Sequence, residues 1–341
     1  MVAEVKLAID ISSGDYGGSV TLPAAISFAK KNINVHLFLV GKDTDIEPFI
    51  DDDIRARVTV VHAEQVVEMD EEPVKALRFK KKSSMRLAVE LVRDKKADIC
   101  VSSGNTGALM AMSHTILKTL EGISRPAIMG MFPSYNGSEV CILDLGANIT
   151  ADSDNLCQFA YLASEIVGSM NNTKPRVGIL NVGHESIKGT TTVKNAASAL
   201  KAKKEINFIG FVEGDELFFG KVDIVVCDGF VGNIMLKSCE GIVGLIYKKI
   251  TDNIKKKPVF SYINKAILKS IVKSSFEDYS TDHKNGALFV GLNGLVIKSH
   301  GGAKQAAFEN SIELAYKTVN RLDFKNYANK IKAVSIAEET V

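Results

Sequence analysis

Short apolar runs rich in β-branched residues alternate with amphipathic segments along the chain, and this alternation constrains the fold more than any other feature. Several runs, such as Ile224–Val226, are continuously apolar, which is typical of strands buried on both faces. The pattern predicts a mostly parallel sheet covered by helices. The predicted strands are 5–11, 35–41, 57–62, 98–102, 127–132, 139–145, 176–182, 207–212 and 223–228.

One connection departs from the parallel pattern. Residues 133–138 form a turn between two predicted strands, with no helix between them. Parallel neighbours need a crossover of about a dozen residues or more, so these two strands are predicted to form an antiparallel hairpin. The predicted helices are 23–31, 84–95, 106–120, 154–169, 191–203, 233–249 and 303–321.

The length of 341 residues suits two domains or one large α/β unit. No repeat or linker is found, so we expect a single α/β unit over residues 1–341. Hydrophobic residues make up 46% and charged residues 24%, which excludes a disordered chain. The near balance of 42 basic and 40 acidic residues argues against nucleic acid as the main partner.

The cysteines and the hydropathy pattern predict a cytoplasmic protein. An odd number of cysteines without a CxxC pair fits neither a disulfide framework nor a zinc site. Residues 1–10 lack the apolar core of a signal peptide, and the charge-free stretch 99–117 contains a polar turn. The cysteines are Cys100, Cys141, Cys157, Cys227 and Cys239.

Four turns that follow predicted strands are candidate ligand sites, because open α/β sheets bind ligands beyond the carboxyl ends of their strands. They cover residues 12–18, 103–107, 146–148 and 227–233. In the second turn, two glycines flank Asn105 and Thr106 where a helix begins, which favours an anion such as phosphate. The alternative is a tight turn in which Thr106 caps the helix.

Common catalytic motifs are missing from the chain. There is no GxxxxGK[ST], GxGxxG or GxSxG, and the histidines show no metal-ligand spacing. We therefore predict no metal and no cofactor. Of the histidines, His300 is the one that lies in a turn suited to a site, because Gly301 and Gly302 follow it. Asp144 and Asp228 end predicted strands, where a carboxylate serves as a metal ligand, a general base or, most often, a cap.

Taken together, the motifs resemble those of the bacterial phosphate acyltransferase family. The similarity follows the chain in order from about residue 6 to residue 321. The motifs are SSMR at 83–86, VSSGNTGAL at 101–109, LDLGAN at 143–148, LNVG at 180–183, IKG at 187–189, FIGFVEG at 208–214, VCDGFVGN at 226–233, GLNG at 291–294 and HG at 300–301.

The resemblance implies a three-layer α/β/α sandwich like that of isocitrate and isopropylmalate dehydrogenases, and a homodimer. It implies transfer of an acyl group from acyl carrier protein to inorganic phosphate, which gives an acyl phosphate for phospholipid synthesis. The family's functional Lys and Asn map onto Lys188 and Asn233. The expected phosphate and substrate contacts are Ser103, Gly104, Asn105, Thr106, Gly107, Asp144, Asn148, Asp228, Gly229 and His300.

This chemistry suits residues that donate hydrogen bonds. Phosphate is largely a dianion near neutral pH and a thiol leaves readily, so the enzyme has to position phosphate and stabilise the oxyanion. Asn105, Asn233 and Lys188 match that need, and we expect direct attack of phosphate on the thioester. A covalent acyl group on Cys227 is the alternative.

Two rival functions remain open at this stage. One is an NAD-dependent decarboxylating dehydrogenase of the same fold, which would need metal-binding aspartates. The other is a non-catalytic sensor or scaffold for acyl carrier protein. Phosphate-dependent release of thiol would distinguish transfer from both.

A basic run is the candidate docking patch for acyl carrier protein, which is acidic. Its members are Lys81, Lys82 and Arg86, with Arg78 and Lys80 beside them. Such a patch predicts binding that weakens as salt rises. A solvated helix face is the alternative interpretation.

Residues 240–274 are predicted to form an inserted pair of amphipathic helices broken at Pro258. Isoleucines recur every three or four residues, and eight lysines surround them. The pair would pack against a dimer mate, and the bend would contact an anionic membrane through Val259, Phe260 and Tyr262. The protein is thus expected to be cytoplasmic and peripherally membrane-associated, near a downstream membrane glycerol-3-phosphate acyltransferase.

Overall fold

The computed structural model describes residues 4–256, 267–268, 270–272 and 285–339. Within them, eleven strands form one sheet in the order β3-β2-β1-β4-β11-β10-β5-β6-β9-β7-β8. The strands are β1 (Val5–Asp10), β2 (Val35–Gly41), β3 (Val58–His62), β4 (Ile99–Ser102), β5 (Ala127–Pro133), β6 (Glu139–Leu143), β7 (Arg176–Leu180), β8 (Asn207–Val212), β9 (Ile224–Val226), β10 (Ala287–Val290) and β11 (Leu295–Lys298).

The helices cover both faces of this sheet. The described helices are α1 (Gly18–Lys31), α2 (Asp43–Ile46), α3 (Asp52–Arg55), α4 (Pro73–Phe79), α5 (Ser84–Arg93), α6 (Thr106–Leu117), α7 (Ser153–Asn171), α8 (Thr191–Ala202), α9 (Gly229–Lys256), α10 (Gln305–Arg321) and α11 (Phe324–Glu339), with a short 3₁₀ turn at Glu47–Phe49. The predicted helices are confirmed with shifted ends. α2, α3, α4 and α11 were not predicted.

Two hydrophobic cores make this a three-layer sandwich. One core packs α1, α7, α8, α10 and α11 against one face of the sheet, with Phe159 and Phe308 fully buried in it. The other packs α5 and α6 against the opposite face, around Met85 and Met112. The α/β/α prediction is confirmed. The arrangement follows from the sequence, because strands buried on both sides are apolar at every position.

The sheet consists of two parallel halves that run in opposite directions. β1, β2, β3, β4 and β11 are parallel, and so are β6, β7, β8 and β9. Between them, β10 is antiparallel to both β11 and β5, and β5 is antiparallel to β6. The predicted hairpin of β5 and β6 is confirmed, and its turn closes with Ser134 N donating to Ser138 O at 2.9 Å.

A second hairpin, β10–β11, was not predicted. Its four-residue strands flank the turn at residues 291–294, and Gly291 has a φ of +85°, which favours glycine. This hairpin fills the centre of the sheet, where β11 pairs with β4 and β10 pairs with β5. The two halves of the sheet are therefore joined by a segment close to the end of the chain.

The predicted helical pair 240–274 is described in part. α9 extends from Gly229 to Lys256, so it begins four residues before the predicted helix 233–249. Pro258, Val259, Phe260 and Tyr262 lie outside the described residues. By length and apolar composition, the 229–254 part of α9 would be able to cross a membrane, which is weak evidence because the core helix of a soluble protein passes the same test.

Candidate functional site

A cleft of ≈210 Å³ lies over the middle of the sheet, between α6 and α9. Both apolar and polar residues line it. The apolar ones include Ile128, Gly130, Phe132, Leu145, Leu236 and Ala287, and the polar ones are Thr106, Asn233, Lys237, Glu240, Asn285, Lys298, Ser299 and His300, of which Asn285, Lys298 and Ser299 are buried.

Because the two halves of the sheet run in opposite directions and meet at β10 and β5, loops from both halves reach this cleft. Lys298, at the carboxyl end of β11, pairs with Ala287 of β10, and Ala287 pairs with Gly130 of β5. From the other half, the loop after β6 reaches the start of β5, where Leu145 N donates to Ile128 O at 3.0 Å. The turns after β4 and β11 thus approach from one side, and the loop after β6 with α9 from the other.

A cluster of buried polar side chains fixes the turn after β4. Ser102 Oγ donates to Asp10 Oδ2 at 2.7 Å, and Ser13 Oγ donates to Asp10 O at 3.2 Å. Ser103 Oγ donates to Ser13 O at 3.0 Å, and Ser103 N donates to Ser13 Oγ at 3.2 Å. We call Asp10, Ser13, Ser102 and Ser103 the Asp10–serine cluster. Burial raises the pKa of Asp10, the hydrogen bonds from serines opposing it.

The side chain of Asn105 is occupied by the protein itself. Its Oδ1 accepts from Ala108 N at 3.0 Å, so Asn105, and not Thr106, caps α6. Its Nδ2 donates to Met69 O at 2.8 Å and to Glu71 O at 3.0 Å, which uses both hydrogens. The expectation that this amide stabilises an oxyanion does not fit these contacts.

Thr106 and Gly107 are the exposed members of the predicted anion site. As the first residues of α6, their backbone N–H groups have no acceptor within the helix, and they lie at its positive end. Ser103 and Gly104 are buried beneath them. A Cβ at Gly104 would lie 3.1 Å from Ser13 Cβ and would overlap Met85 Cε, so this glycine permits close packing.

Lys298 is a buried lysine that sequence reasoning missed. It is 9% exposed, and its Nζ donates to Ser103 O at 3.4 Å and to Ser299 O. Burial lowers the pKa of Lys298 to about 8, and the negative charges of Asp15 and Asp10 oppose that shift. The available signal was a lysine that ends an apolar strand directly before a Ser-His-Gly-Gly turn.

His300 lies exposed at the rim of the cleft, in the turn that was predicted to hold it. Its backbone N–H donates to Asn285 Oδ1 at 2.9 Å. Its Nδ1 is 3.1 Å from Gly302 N and accepts a hydrogen bond from it, so the neutral ring carries its proton on Nε2. His300 is therefore able to donate from Nε2.

Asp144 organises the loop after β6. Its carboxylate is fully buried and accepts hydrogen bonds from the backbone N–H groups of Ile128, Gly146, Ala147 and Asn148 at 2.7–3.1 Å. Asn148 Nδ2 donates to it at 2.9 Å and to Pro126 O at 2.8 Å. Both side chains were predicted to contact substrate, and these bonds give them a positioning role.

The turn before α9 is held in a similar way. Asp228 Oδ1 accepts from Val231 N at 2.8 Å and caps the helix. Gly229 N donates to Asn148 O at 2.8 Å, and a Cβ on Gly229 would lie 2.6 Å from that oxygen. Gly229 thus permits the close approach of two loops.

The two predicted catalytic residues are placed differently. Asn233 is exposed on α9 and lines the cleft, close to Gly146. Lys188 lies in the loop after β7, with its Nζ 2.9 Å from Glu185 Oε2, and is not part of the cleft lining. The hydrogen bond to Glu185 raises the pKa of Lys188. Since β7 adjoins β9, its loop leaves the same end of the sheet as the turn before α9.

Comparison with known proteins decides the family. A family model described as "Fatty acid synthesis protein" matches residues 5–324. The phosphate acyltransferases of Shewanella amazonensis and Shewanella sediminis are each 44% identical to this chain over 324 residues, which is 94% of either chain. The chain belongs to the phosphate acyltransferase family. It is an acyltransferase, and phosphate acyl transfer is the reaction these relatives support.

Solved structures agree on the fold of this phosphate acyltransferase family member. A phosphotransacetylase from Streptococcus pyogenes superposes with a TM-score of 0.62 at 16% identity and 94% coverage of both chains. The EutD phosphotransacetylase from Staphylococcus aureus gives 0.59 at 16% identity, with 94% of this chain and 95% of that chain covered. A 4-hydroxythreonine-4-phosphate dehydrogenase from Salmonella typhimurium gives 0.52 at 13% identity, with 93% and 99% covered.

Cys227 is poorly suited to be a nucleophile in a phosphate acyltransferase. It is 4% exposed, and its thiol lies 3.7 Å from Asp144 O. Burial raises the pKa of Cys227, which suppresses the reactive thiolate. Among the described residues, no group of three or more His, Cys, Asp or Glu is arranged to hold a metal ion.

The basic run of the predicted docking patch is partly neutralised. Lys82 Nζ is 2.9 Å from Glu64, and Arg86 Nε is 3.0 Å from Glu90. Lys81 is exposed on the turn before α5. Of the three predicted docking residues, Lys81 therefore offers the most accessible charge to a partner.

Proposed function

We propose that the protein transfers a fatty acyl group from acyl-acyl carrier protein to inorganic phosphate by direct attack of phosphate on the thioester. The observation that carries this proposal is the cleft, whose lining combines apolar side chains with N–H donors such as Asn233, Lys298 and His300. The apolar side chains suit the start of an acyl chain, and the donors suit phosphate and the thioester. The buried state of Cys227 supports direct transfer over an acyl-cysteine intermediate.

The polar residues of the cleft supply what the reaction needs. Phosphate arrives as a nucleophilic dianion, attacks the thioester carbon and forms a tetrahedral oxyanion, which collapses as the pantetheine thiolate leaves. Asn233 Nδ2 and His300 Nε2 are the side-chain donors that we assign to the oxyanion and the phosphate, with the first amides of α6. A single oriented donor contributes about 10²–10³-fold to such a rate.

Lys188 is assigned by the family resemblance and because its loop leaves the same end of the sheet as the turn before α9. We propose that it meets the thioester end of the substrate at the open side of the cleft. Glu185 Oε2 lies 2.9 Å from its ammonium group. An arriving thioester or phosphate oxygen would compete with that carboxylate.

One assay separates transfer from the two rival functions. Purified protein is mixed with hexadecanoyl-acyl carrier protein, with and without phosphate, while free thiol and acyl phosphate are measured, the latter as a hydroxamate. Phosphate-dependent release of thiol together with acyl phosphate is expected. Binding without release would favour the sensor, and reduction of NAD by a hydroxy acid would favour the dehydrogenase.

We further propose a homodimer that contacts the cytoplasmic membrane surface through the 240–274 segment. The exposed apolar side chains on α9 support this, since Ile242, Leu245 and Ile246 are 57%, 64% and 44% exposed. The product is itself a lipid, so release at the bilayer would deliver it to the downstream membrane glycerol-3-phosphate acyltransferase. The basic residues of the segment favour anionic lipid.

Sedimentation with vesicles tests the membrane proposal. Wild type is expected to pellet with anionic vesicles, less so in high salt, and Phe260→Glu is expected to stay in the supernatant as a dimer. Phe219→Glu is the matched control, because Phe219 is exposed in another part of the protein. Equal pelleting of Phe260→Glu and wild type would limit the segment to dimer contacts.

A further inference from the structure

Lys298 differs from Lys237 and Lys188, two other lysines in or near the cleft, in having no acidic partner within the part of the chain that the structure describes. Lys237 Nζ is 2.8 Å from Glu240, and Lys188 is paired with Glu185 outside the lining. Lys298 is 9% exposed, and among the described residues no Asp or Glu forms an ion pair with it. A buried ammonium group without a counterion is costly, and proteins accept that cost mainly where function needs the charge.

The geometry of Lys298 points to an anionic ligand. An ammonium group has three hydrogens, and the carbonyl oxygens of Ser103 and Ser299 accept two of them. The residue also lines the cleft, together with Thr106 at the start of α6. Because Ser103 precedes α6 by three residues, the ammonium group and the first amides of that helix lie on either side of one short turn.

We propose that Lys298 Nζ is the cationic ligand that binds inorganic phosphate, in concert with the first backbone amides of α6. The inference rests on the proposed function and names the residue that holds the attacking nucleophile. The Asp10–serine cluster then acts as a support, since it fixes the turn whose carbonyl group orients Lys298. A bound phosphate would supply the counter-charge for this ammonium group.

The surrounding charges determine how this site responds to pH. Asp10 from β1 and Asp15 from the following loop favour the charged form of Lys298, while Lys237 from α9 opposes it. Glu240 offsets Lys237, and His300 faces the same cleft. With a pKa of about 8, Lys298 is mostly charged at neutral pH and loses its proton as the medium becomes alkaline. Phosphate binding should weaken over the same range.

The experiment compares three variants with wild type. Lys298→Met removes the charge and keeps most of the volume, and Lys298→Arg keeps the charge. Lys304→Met removes an exposed lysine six residues away, whose side chain makes no capping bond to α10. Folding is checked by thermal unfolding, phosphate affinity by calorimetry, and KM is measured separately for phosphate and for acyl-acyl carrier protein.

Lys298→Met is expected to weaken phosphate binding and raise the KM for phosphate by about 10–100-fold, with the KM for carrier protein within about twofold of wild type. Lys304→Met should match wild type. A merely structural lysine would change both KM values together. Unchanged phosphate affinity in a folded Lys298→Met protein, or a wild type that binds no phosphate, would overturn the inference.

Two further readouts keep the test decisive. If Lys298→Met does not fold, Lys298→Arg must retain phosphate binding within about tenfold in a folded protein, and complete loss there would count against the inference. Between about pH 8 and pH 9.5, where phosphate stays a dianion, wild-type affinity should fall about tenfold, a fall that a folded Lys298→Met protein should lack. Calorimetry uses no thioester, so phosphate binding through Lys298 stands or falls apart from acyl transfer.

Discussion

The turns around the cleft differ from the part of α9 around residues 242–246 in how their side chains are satisfied. In the turns, the buried carboxylate of Asp144 and the three serines around Asp10 are hydrogen-bonded within the chain. On α9, apolar side chains such as Leu245 remain exposed to solvent. Contacts within one chain thus stabilise the cleft, whereas the exposed apolar side chains of α9 favour association with a partner. Substitutions in the turns should therefore lower the free energy of unfolding, and substitutions on α9 should weaken association.

The largest effect is expected from Asp144→Ala. The change removes the acceptor of four backbone N–H groups in a fully buried position, so those donors lose their partner. The free energy of unfolding should fall by about 3 kcal/mol or more. Urea unfolding measures it, with Asp215→Ala as the control at an exposed acid. A loss below about 1 kcal/mol would mean that the loop is not held this way.

Asn233→Ala should lower activity without lowering stability, because Asn233 lies on α9 where that helix lines the cleft. Asn233 is exposed at the cleft, so its removal should leave the melting temperature almost unchanged. If its amide stabilises the oxyanion, kcat should fall about 10²-fold or more. Ser238→Ala, also exposed on α9, is the control and should retain activity. A fall in kcat of less than about threefold would remove Asn233 from the oxyanion site.

Leu245→Glu tests the α9 side of the contrast. The side chain is 64% exposed, so the folded chain should lose little free energy of unfolding. If α9 forms the proposed dimer interface, self-association should weaken at least about tenfold, because a carboxylate would then be buried there. Light scattering across a concentration series measures this, and Phe219→Glu is the exposed control. A dimer unaffected by the change would place the interface elsewhere.

A smaller, pH-dependent effect is expected in the Asp10–serine cluster. Burial raises the pKa of Asp10 above the ordinary value of 3.8, so the folded state holds the proton more tightly than the unfolded state. This contribution to stability is present below pH 3.8 and is lost as the pH rises towards the folded pKa.

Asp10→Asn removes that titration and keeps an oxygen to accept from Ser102. Relative to wild type, the variant should therefore gain stability as the pH rises, by about 1.4 kcal/mol for each unit by which the folded pKa exceeds the unfolded one. Unfolding curves from about pH 4 to pH 8 measure the difference. A difference that does not change with pH would show that burial does not favour the neutral acid.

The smallest effect is expected from the basic run before α5. Lys81→Glu should raise the KM for acyl carrier protein about threefold at low salt and by less at high salt. Lys82→Glu should do less, because Glu64 already neutralises that ammonium group. Lys96→Glu, an exposed change in another turn, is the control. Equal KM values for Lys81→Glu and wild type would remove the patch as a docking site.

Sequence patterns predicted where the turns of the cleft lie, but not which groups their side chains contact. Glycine, serine and asparagine after apolar runs marked the turn after β4 and the loop after β6, because these residue types suit tight connections. The same patterns did not reveal that Asn105 caps α6 while its amide binds two carbonyl groups. A side chain's partner depends on distant segments that local spacing does not encode.

The missed hairpin and the missed lysine have one origin. β10 and β11 have four residues each, too few for a clear period, and they become strands through pairing with β4 and β5. Without that register, nothing in the sequence shows that Lys298 is buried beside Ser103, 195 positions earlier. The family motifs identified the reaction class, and the structure was needed to place Asn233 at the cleft and Lys188 outside it.

The position of the β10–β11 hairpin has a consequence for synthesis of the chain. The hairpin lies between β4 and β5 in the sheet, yet it is made almost 200 residues after β4. A nascent chain that ends before residue 285 would expose the edges of two strands whose residues are mostly buried in the finished sheet, and such edges template aggregation. The sheet therefore cannot close until the last sixth of the chain is made, and the same hairpin brings Ala287 and Lys298 to the cleft.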